Sequence, residues 1–458
     1  MHLTSSLAAD AVRAARHDGA AWHLRTKRDR AAAQVPDWER LRAHAQDLRQ
    51  HVLDHLPDLL ERFIANARAV GWTVHLAAER EDLNRMVHGL LAERGAVRVV
   101  KSKSMLTEEC GLNHYLEERG IDVVDTDLGE RIVQLRHEPP SHLVIPAIHL
   151  SRGEVGETFH RAMGTPAGLD DPVALTEAAR TDLRGRFLAA EAGITGVNFA
   201  VAETGAIVLC TNEGNADLGT ALPPLHIACM GVEKLVPRTT DLAPLLRLLA
   251  RSATGQPITA FTSLLRGPDP TRPGHAAHLV ILDGGRSRLL ADAEHRGALA
   301  CIRCGACLNT CPVYRRIGGH AYGTTVAGPI GAVLAPALSS SPTASALPFA
   351  STLCGSCTNV CPVRIDLHGQ LLSWRHRLSI AGRTPRAKRW GMRVARRMFA
   401  RPWLYALGGR AARGLWPVLR RRWPGNPLMP WLAGRDLPPS PGASFRERWA
   451  RGEGRHHG

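Results

Sequence analysis

Residues 301–312 read C-I-R-C-G-A-C-L-N-T-C-P, and residues 354–362 read C-G-S-C-T-N-V-C-P. The first run has the C-x2-C-x2-C-x3-C-P spacing of bacterial iron–sulfur ligation. Three thiolates at this spacing wrap one iron–sulfur cubane, and backbone N–H groups turn toward its sulfurs. Gly305 permits the tight wrap, and the fourth cysteine, followed by proline, leaves toward another cluster. In the crossed pattern of two-cluster proteins, Cys301, Cys304, Cys307 and Cys361 hold the first cluster. Cys311 then joins Cys354 and Cys357 on the second, which is one thiolate short. Stepping back three residues from Cys354, where a full run would begin, lands on Ser351. Disulfides or a structural zinc are the alternatives, but zinc takes four ligands in two pairs rather than seven thiols in two runs.

Composition bounds the rest. The 458 residues suffice for two or three domains with a sizeable core. Three further cysteines, Cys110, Cys210 and Cys229, stand alone and read as small buried residues. The opening MHLTSSLAADAVRAARHDG lacks the apolar core of a secretory signal, and no run of about 18 apolar residues spans a membrane. A reducing cytoplasm fits thiolate-bound iron better than disulfides do. The net charge of +16 is concentrated in one place. Residues 383–458 carry 18 Lys and Arg against 3 Asp and Glu, which leaves 40 basic and 39 acidic residues elsewhere.

Taken in order, residues 1–37 form an N-terminal helical arm, Ala- and Arg-rich, expected to pack loosely. Leu41, Ala45, Leu48 and Val52 recur at helical spacing, and a second helix with Leu59, Phe63 and Ala67 stops at Gly71. Strand and helix then alternate: strands near Thr73–Ala77, Ala96–Lys101 and Ile121–Asp125, with helices around Leu83–Leu91 and Glu108–Arg119 between them. Further strand-like runs lie at Leu143–Ile148, Asn198–Val201, Ala206–Cys210 and Leu279–Leu282. Such alternation implies a parallel sheet covered by helices, so 38–292 is expected to be one α/β domain with leading helices. The segment 293–380 is poor in strand signals, and 42 residues separate its cysteine runs. It reads as an α-helical ferredoxin-like two-cluster domain. Residues 381–458 form a basic tail rich in Arg, Trp and Pro, in which six of the ten Trp sit and repeated prolines break long helices.

Other constellations carry competing readings. Lys101 and Lys103 follow a strand, where open α/β sheets bind anions, or else lie in a solvated loop. Glu203, in Ala202-Glu203-Thr204-Gly205, is either a catalytic carboxylate or part of a hairpin turn. His142, His149 and His160 lack ligand spacing and read as satisfied polar residues. The glycines of 318–323 and 328–331 shape either a linker or a pocket beside the incomplete cluster, near His320. Dinucleotide, Walker and nucleophile-elbow motifs are absent.

The strings V-K-S-K-S-M-L-T-E-E (100–109), D-L-G-E-R-I-V-Q-L (127–135), P-S-H-L-V-I-P-A-I-H (140–149) and A-E-T-G (202–205) resemble the LUD, or lactate utilisation, domain. Joined to the cysteine runs, G-G-H-A-Y-G and G-P-I-G-A-V-L, they make 38–380 similar to the lactate utilisation B family. The resemblance implies an open sheet of the sugar-isomerase and CoA-transferase type. It also implies an iron–sulfur subunit of a bacterial L-lactate-oxidising complex, with two [4Fe-4S] clusters and the other subunits as partners. The family pattern likewise lacks the eighth cysteine, so Ser351 does not weaken the resemblance. The expected role is an electron carrier without catalytic residues of its own. The rivals are an iron–sulfur subunit of another 2-hydroxy-acid oxidase, an α/β enzyme using Lys101, Lys103 and Glu203 on a small hydroxy acid, and a nucleic-acid binder acting through the tail. An acidic protein or the anionic inner face of the membrane suits the tail better than nucleic acid, since no recognised binding motif is present.

Overall fold

The computed structural model describes residues 6–339, 341, 343–384, 386–421, 426, 429–432, 437–440 and 442–453. The chain divides into two compact units, Met1–Arg377 and Leu378–Gly458.

In the first unit the long apolar strands are the innermost. β1 (Thr73–Ala77), β2 (Arg98–Lys101), β3 (Asp122–Asp125), β4 (Ala192–Gly196), β7 (Leu225–Gly231) and β10 (Ala276–Leu282) form a parallel sheet in the order β1-β10-β7-β4-β2-β3. β7 lies at its middle and is buried along its whole length, as a strand covered on both faces must be. Val280 pairs with Cys229, and Ile194 with Ile227, so these strands present their carboxyl ends along one edge. A second sheet, in the order β8-β5-β6-β9, uses β5 (Phe199–Val201), β6 (Ala206–Thr211), β8 (Leu235–Val236) and β9 (Phe261–Leu265). β5 and β6 form an antiparallel hairpin across 202–205. Gly205 turns it at φ +68°, and a Cβ there would meet the backbone of Ala67 at 2.4 Å. The turn reading of this segment therefore holds.

Several expectations are corrected. Leu143–Ile148 is a loop: Ser141 N donates to Pro146 O, and Leu143 and Ile148 are buried without joining a sheet. The N-terminal residues are not loosely packed. Helix Ala11–Ala33 buries Ala14, His17, Ala21, Leu24 and Arg28 along one face. The single helix expected over 108–119 is two, Met105–Cys110 and Leu112–Glu117, separated by Gly111 at φ +64°. β4 and β7 carried no recognised strand signal, since AGITG and LHIACMG mix Gly, Ala and His into short apolar runs.

The second unit contains helices Arg386–Phe399 and Pro402–Leu419. The expectation that proline breaks long helices here is also corrected. Pro402 starts its helix and Pro417 lies in the last turn, and the first of these positions needs no intrahelical N–H. Trp423, Pro424, Pro427 and Pro441, part of the tail reading, lie outside the described residues.

Candidate iron–sulfur centre and adjoining cavity

The two cysteine runs fold into nearly the same backbone, fifty residues apart. A 3-10 helix leads into each, Arg296–Ala300 and Ala344–Phe349. Arg303 and Leu353 both take left-handed backbone, at φ 61° and 56°, as do Gly305 and Gly355 at 75° and 77°. Each loop then enters a five-residue helix, Ala306–Thr310 or Ser356–Val360. Non-glycine residues held at positive φ carry a strain that packing must offset, and such residues cluster at functional sites.

This curl turns amides toward the sulfurs. Arg303 N donates to Cys301 Sγ and Ile365 N to Cys361 Sγ, each at 3.3 Å. The amide of Ile330 donates to the thiol of Cys307, and those of Tyr314 and Val313 to Cys311. Burial raises the Cys304 thiol's pKa, as do the charges of Cys361 and Cys301. Burial, then Cys301, Cys304 and Cys357, raises that of Cys307. Cys357 is pushed up to about 11 by burial, with Cys311 and Cys354 adding to it. Cys361 also reaches about 11, by burial and then Cys301. Only Cys354, which is exposed, is lowered, chiefly by the amide of Ser356 and then by the Thr352 hydroxyl. Thiols crowded in this way resist ionisation on their own, whereas iron draws off their protons and supplies the missing positive charge. The donor set, the inward amides and the repeated loop fit two iron–sulfur clusters. Among the described residues no three His, Cys, Asp or Glu side chains close around one metal ion.

Arginines from the leading helices grip the carbonyls of these loops. Arg28 donates to Val360 O at 3.1 Å, and Arg42 to Asn359 O and Cys361 O at 2.7 and 2.8 Å. Arg49 is fully buried and donates to Leu235 O, Glu233 O, Ala300 O and Leu299 O. Burial lowers its pKa to about 10, against the pull of Glu233, so it remains a cation beside Cys301. The loop 139–149 closes the other side. Tyr314 Oη donates to Ser141 O at 2.8 Å, and the buried His142 ring accepts the amides of Val144 and Ile145. Its Nε2 therefore carries the proton given to Asn309 Oδ1, at 3.1 Å.

A cavity of about 370 Å³ lies at the carboxyl ends of β2, β4 and β7 and reaches the first cysteine loop at Arg303. Open α/β sheets bind ligands at this edge. Lys103 enters it, held by Val144 O at 2.6 Å and Asp127 at 3.2 Å. Arg286 bonds Glu233 at 2.8 Å and Glu109 at 3.0 Å, and Arg303 lies 3.5 Å from Glu109. Lys234 lines the same wall, its pKa lowered to about 8 by burial despite Glu233. Glu213 is pushed up to about 7 by burial and by Asp127. Cys210 and Cys229 line the cavity as well, their thiols raised by burial.

The LUD domain family matches residues 60–273, and the 4Fe-4S dicluster domain matches residues 297–365. "Lactate utilization protein B" of Bacillus pumilus is 42% identical over 438 residues, covering 93% of this chain and 91% of that protein. The chain belongs to the lactate utilisation protein B family. The "Uncharacterized electron transport protein YkgF" of Escherichia coli is also 42% identical, covering 92% of this chain and 89% of its own. A solved structure of a DUF162 family protein from Deinococcus radiodurans covers 50% of this chain and 97% of its own. At 15% identity and a TM-score of 0.27 that likeness is too slight to argue from.

In this member of the lactate utilisation protein B family, the residues singled out from sequence separate by place. All seven run cysteines and Ser351 lie on the two matched loops. Of the rival set, only Lys103 lines the cavity. Lys101 is buried beneath Asp125 at 2.7 Å and Glu108 at 3.0 Å, and Glu203 is exposed, accepting from Thr239 N at 3.0 Å. His149 Nε2 bonds Glu138 while its buried Nδ1 has no partner, His160 bonds Thr165 O, and His320 bonds Pro139 O. In the glycine-rich stretch, Gly331 lines a small cavity of about 50 Å³ with Arg80 and Glu109, and the other glycines pack closely. Gly319 lies against Ser141 O, and Gly328 against Leu308. Sequence reading missed Arg28, Arg42, Arg49, Lys234 and Arg286. A signal existed for two of them: Arg42 and Arg49 sit seven residues apart on the apolar face of helix Trp38–Asp54.

Proposed function

We propose that the chain is the iron–sulfur electron-transfer subunit of a bacterial complex that oxidises L-lactate to pyruvate. The observation that carries this reading is the pair of matched cysteine loops, gripped by buried arginines and facing no nucleophile or nucleotide motif. The crossed assignment puts Cys301, Cys304, Cys307 and Cys361 on one [4Fe-4S] cluster and Cys311, Cys354 and Cys357 on the other. Charge effects link Cys304 to Cys301 and Cys361, and Cys357 to Cys311 and Cys354, while Cys357 also acts on Cys307 across the two sets. The name and 42% identity of the Bacillus pumilus relative support the lactate role.

When bound, the clusters supply one-electron redox chemistry, and the protein sets their potential. Amides of Arg303, Ile330 and Ile365 stabilise charge on the sulfurs. Arg42, Arg49 and Lys234 place positive charge beside Cys361 and Cys301, which favours the reduced state. Five of the seven thiols are buried and Cys301 is half-buried, which limits water at the first loop, whereas exposed Cys354 offers a route for electrons to a partner subunit. Replacing Cys304 by Ala is expected to bleach the first cluster's absorbance and abolish lactate-dependent growth. Normal growth with that cluster demonstrably absent would sink the electron-carrier reading.

The cavity favours a second reading, in which the LUD domain itself takes a small hydroxy acid near the first cluster. Four cations, Lys103, Lys234, Arg286 and Arg303, line the cavity beside four acids, Glu109, Asp127, Glu213 and Glu233, and a bound carboxylate would compete with those acids for the cations. Lactate turnover by the isolated protein supports this reading; cluster reduction by lactate only with partner subunits present supports the first.

A further inference from the structure

The second cluster, on the assignment just proposed, lacks a fourth thiolate. The fifty-residue offset between the loops says what stands in its place. Cys304, Cys307 and Cys311 correspond to Cys354, Cys357 and Cys361, Pro312 to Pro362, and Cys301 to Ser351. The correspondence extends to the hydrogen bonds. Leu308 N donates to Gly305 O at 3.0 Å, as Thr358 N does to Gly355 O at 3.0 Å. Cys311 N donates to Leu308 O at 3.0 Å, as Cys361 N does to Thr358 O at 3.2 Å.

The decisive pair is at the head of each loop. Arg303 N donates to Cys301 Sγ at 3.3 Å, and Leu353 N donates to Ser351 Oγ at 3.1 Å. The serine oxygen thus sits in the backbone cradle that, in the first loop, holds a ligand sulfur. Arg375 Nη2 donates to Ser351 O at 2.6 Å and fixes the residue's main chain. The other oxygen and nitrogen donors nearby already have hydrogen-bond partners, two of them the ligand thiols themselves. Thr352 bonds the Cys354 thiol, Tyr322 bonds that of Cys311, and His320 bonds Pro139 O. Thr352 matches Ile302, which is no ligand position in the first loop.

We infer that Ser351 Oγ is the fourth ligand of the second cluster. Ligation forms one Fe–O bond and releases the hydroxyl proton to solvent. The iron keeps its oxidation state, and the alkoxide restores the single negative charge that a thiolate would bring.

The test uses anaerobically purified full-length protein, reduced and examined by electron paramagnetic resonance and by proton ENDOR after exchange into D2O. A serine alkoxide carries no exchangeable proton on the bound oxygen, whereas water or hydroxide does. The wild type is expected to show two four-iron clusters and no strongly coupled exchangeable proton on the second. Ser351→Ala should either gain such a proton or, on brief exposure to air, give a near-stoichiometric three-iron signal. Ser351→Cys should keep four irons under the same exposure, and Thr352→Ala should behave as wild type. Identical spectra for wild type and Ser351→Ala, or an exchangeable proton already present in the wild type, overturn the serine ligand while leaving both clusters in place. Protein without any four-iron cluster overturns the cluster assignment itself.

Discussion

At the scale of single residues, Lys101 shows how a position suggestive in sequence becomes structural. Its ammonium is wholly buried, 2.7 Å from Asp125, 3.0 Å from Glu108 and 3.9 Å from Glu130. Burial opposes its charge, but the three carboxylates outweigh that and hold it protonated. Burial first, then the charges of Asp125 and Glu108, raises Glu130 well above the ordinary carboxylate range, with Lys101 opposing them. Lys101→Met leaves Asp125 buried and uncompensated, which costs about 3–5 kcal/mol for a buried pair broken on one side. The denaturation midpoint should fall accordingly, while cluster absorbance per folded molecule stays unchanged. Adding Asp125→Asn should recover part of the loss, because the two changes act on one interaction. A Lys101→Met protein of normal stability and lost activity would restore Lys101 as a working residue.

At the scale of elements, the N-terminal helix is clamped to the α/β domain by Glu154. This carboxylate caps its own helix by bonding Ser151 N at 2.8 Å, and it also pairs with Arg13 and Arg16. Burial, the largest single influence, raises its pKa, but the Ser151 hydroxyl and amide and the two arginines together outweigh it and lower it from 4.5 to about 2. A depressed carboxylate contributes stability that is present above its unfolded pKa and is lost as pH falls toward the folded one. Glu154→Gln should therefore melt below wild type at neutral pH, by an amount equivalent to about 1 kcal/mol for a partly exposed cap and ion pair. The gap should narrow as pH falls below 4.5, toward 2. Melting temperatures of both proteins across that range check it, and a gap independent of pH assigns the effect to packing instead.

At the scale of the whole molecule, charge is distributed by region. The tail from residue 383 holds a surplus of 15 basic residues, and the rest of the chain is almost neutral. Helix Arg386–Phe399 gathers Arg389, Arg393, Arg396 and Arg397 on one side, with Trp390 and Val394 exposed on another. Helix Pro402–Leu419 adds exposed Trp403, Leu407 and Leu415. Basic surfaces with exposed Trp suit an acidic protein or an anionic bilayer, where Trp contributes both apolar area and an N–H donor. No helix among the described residues is long and apolar enough to cross a membrane. Removing 383–458 is expected to leave both clusters intact while weakening association with partner subunits or with phosphatidylglycerol vesicles. Loss should be greatest at moderate salt, where screening already weakens what remains. Unchanged co-sedimentation and turnover of the truncated protein would mark the tail as dispensable.

What the sequence determined by itself was local chemistry. The thiol spacing, the glycines that must take positive φ, the strand–helix alternation and the basic tail are all readable because each depends on neighbours within a few residues. It also marked Ser351, since an interrupted pattern is as legible as a complete one. Only the tertiary structure decided which distant groups meet. β4 and β7 are strands because of their place in the sheet's middle, where burial on both faces overrides weak propensity. Leu143–Ile148 has strand-like residues, yet it buries them in a loop against the cysteine helix, because His142 bonds Asn309 across 167 residues. Lys101 and Lys103 are two residues apart and look alike in sequence, but the strand ends at Lys101 and Lys103 lies in the loop beyond it, so their side chains part. One is sealed under carboxylates, and the other enters a cavity shared with the first cysteine loop. Long-range contacts of this kind leave no local periodicity, so no window of sequence contains them.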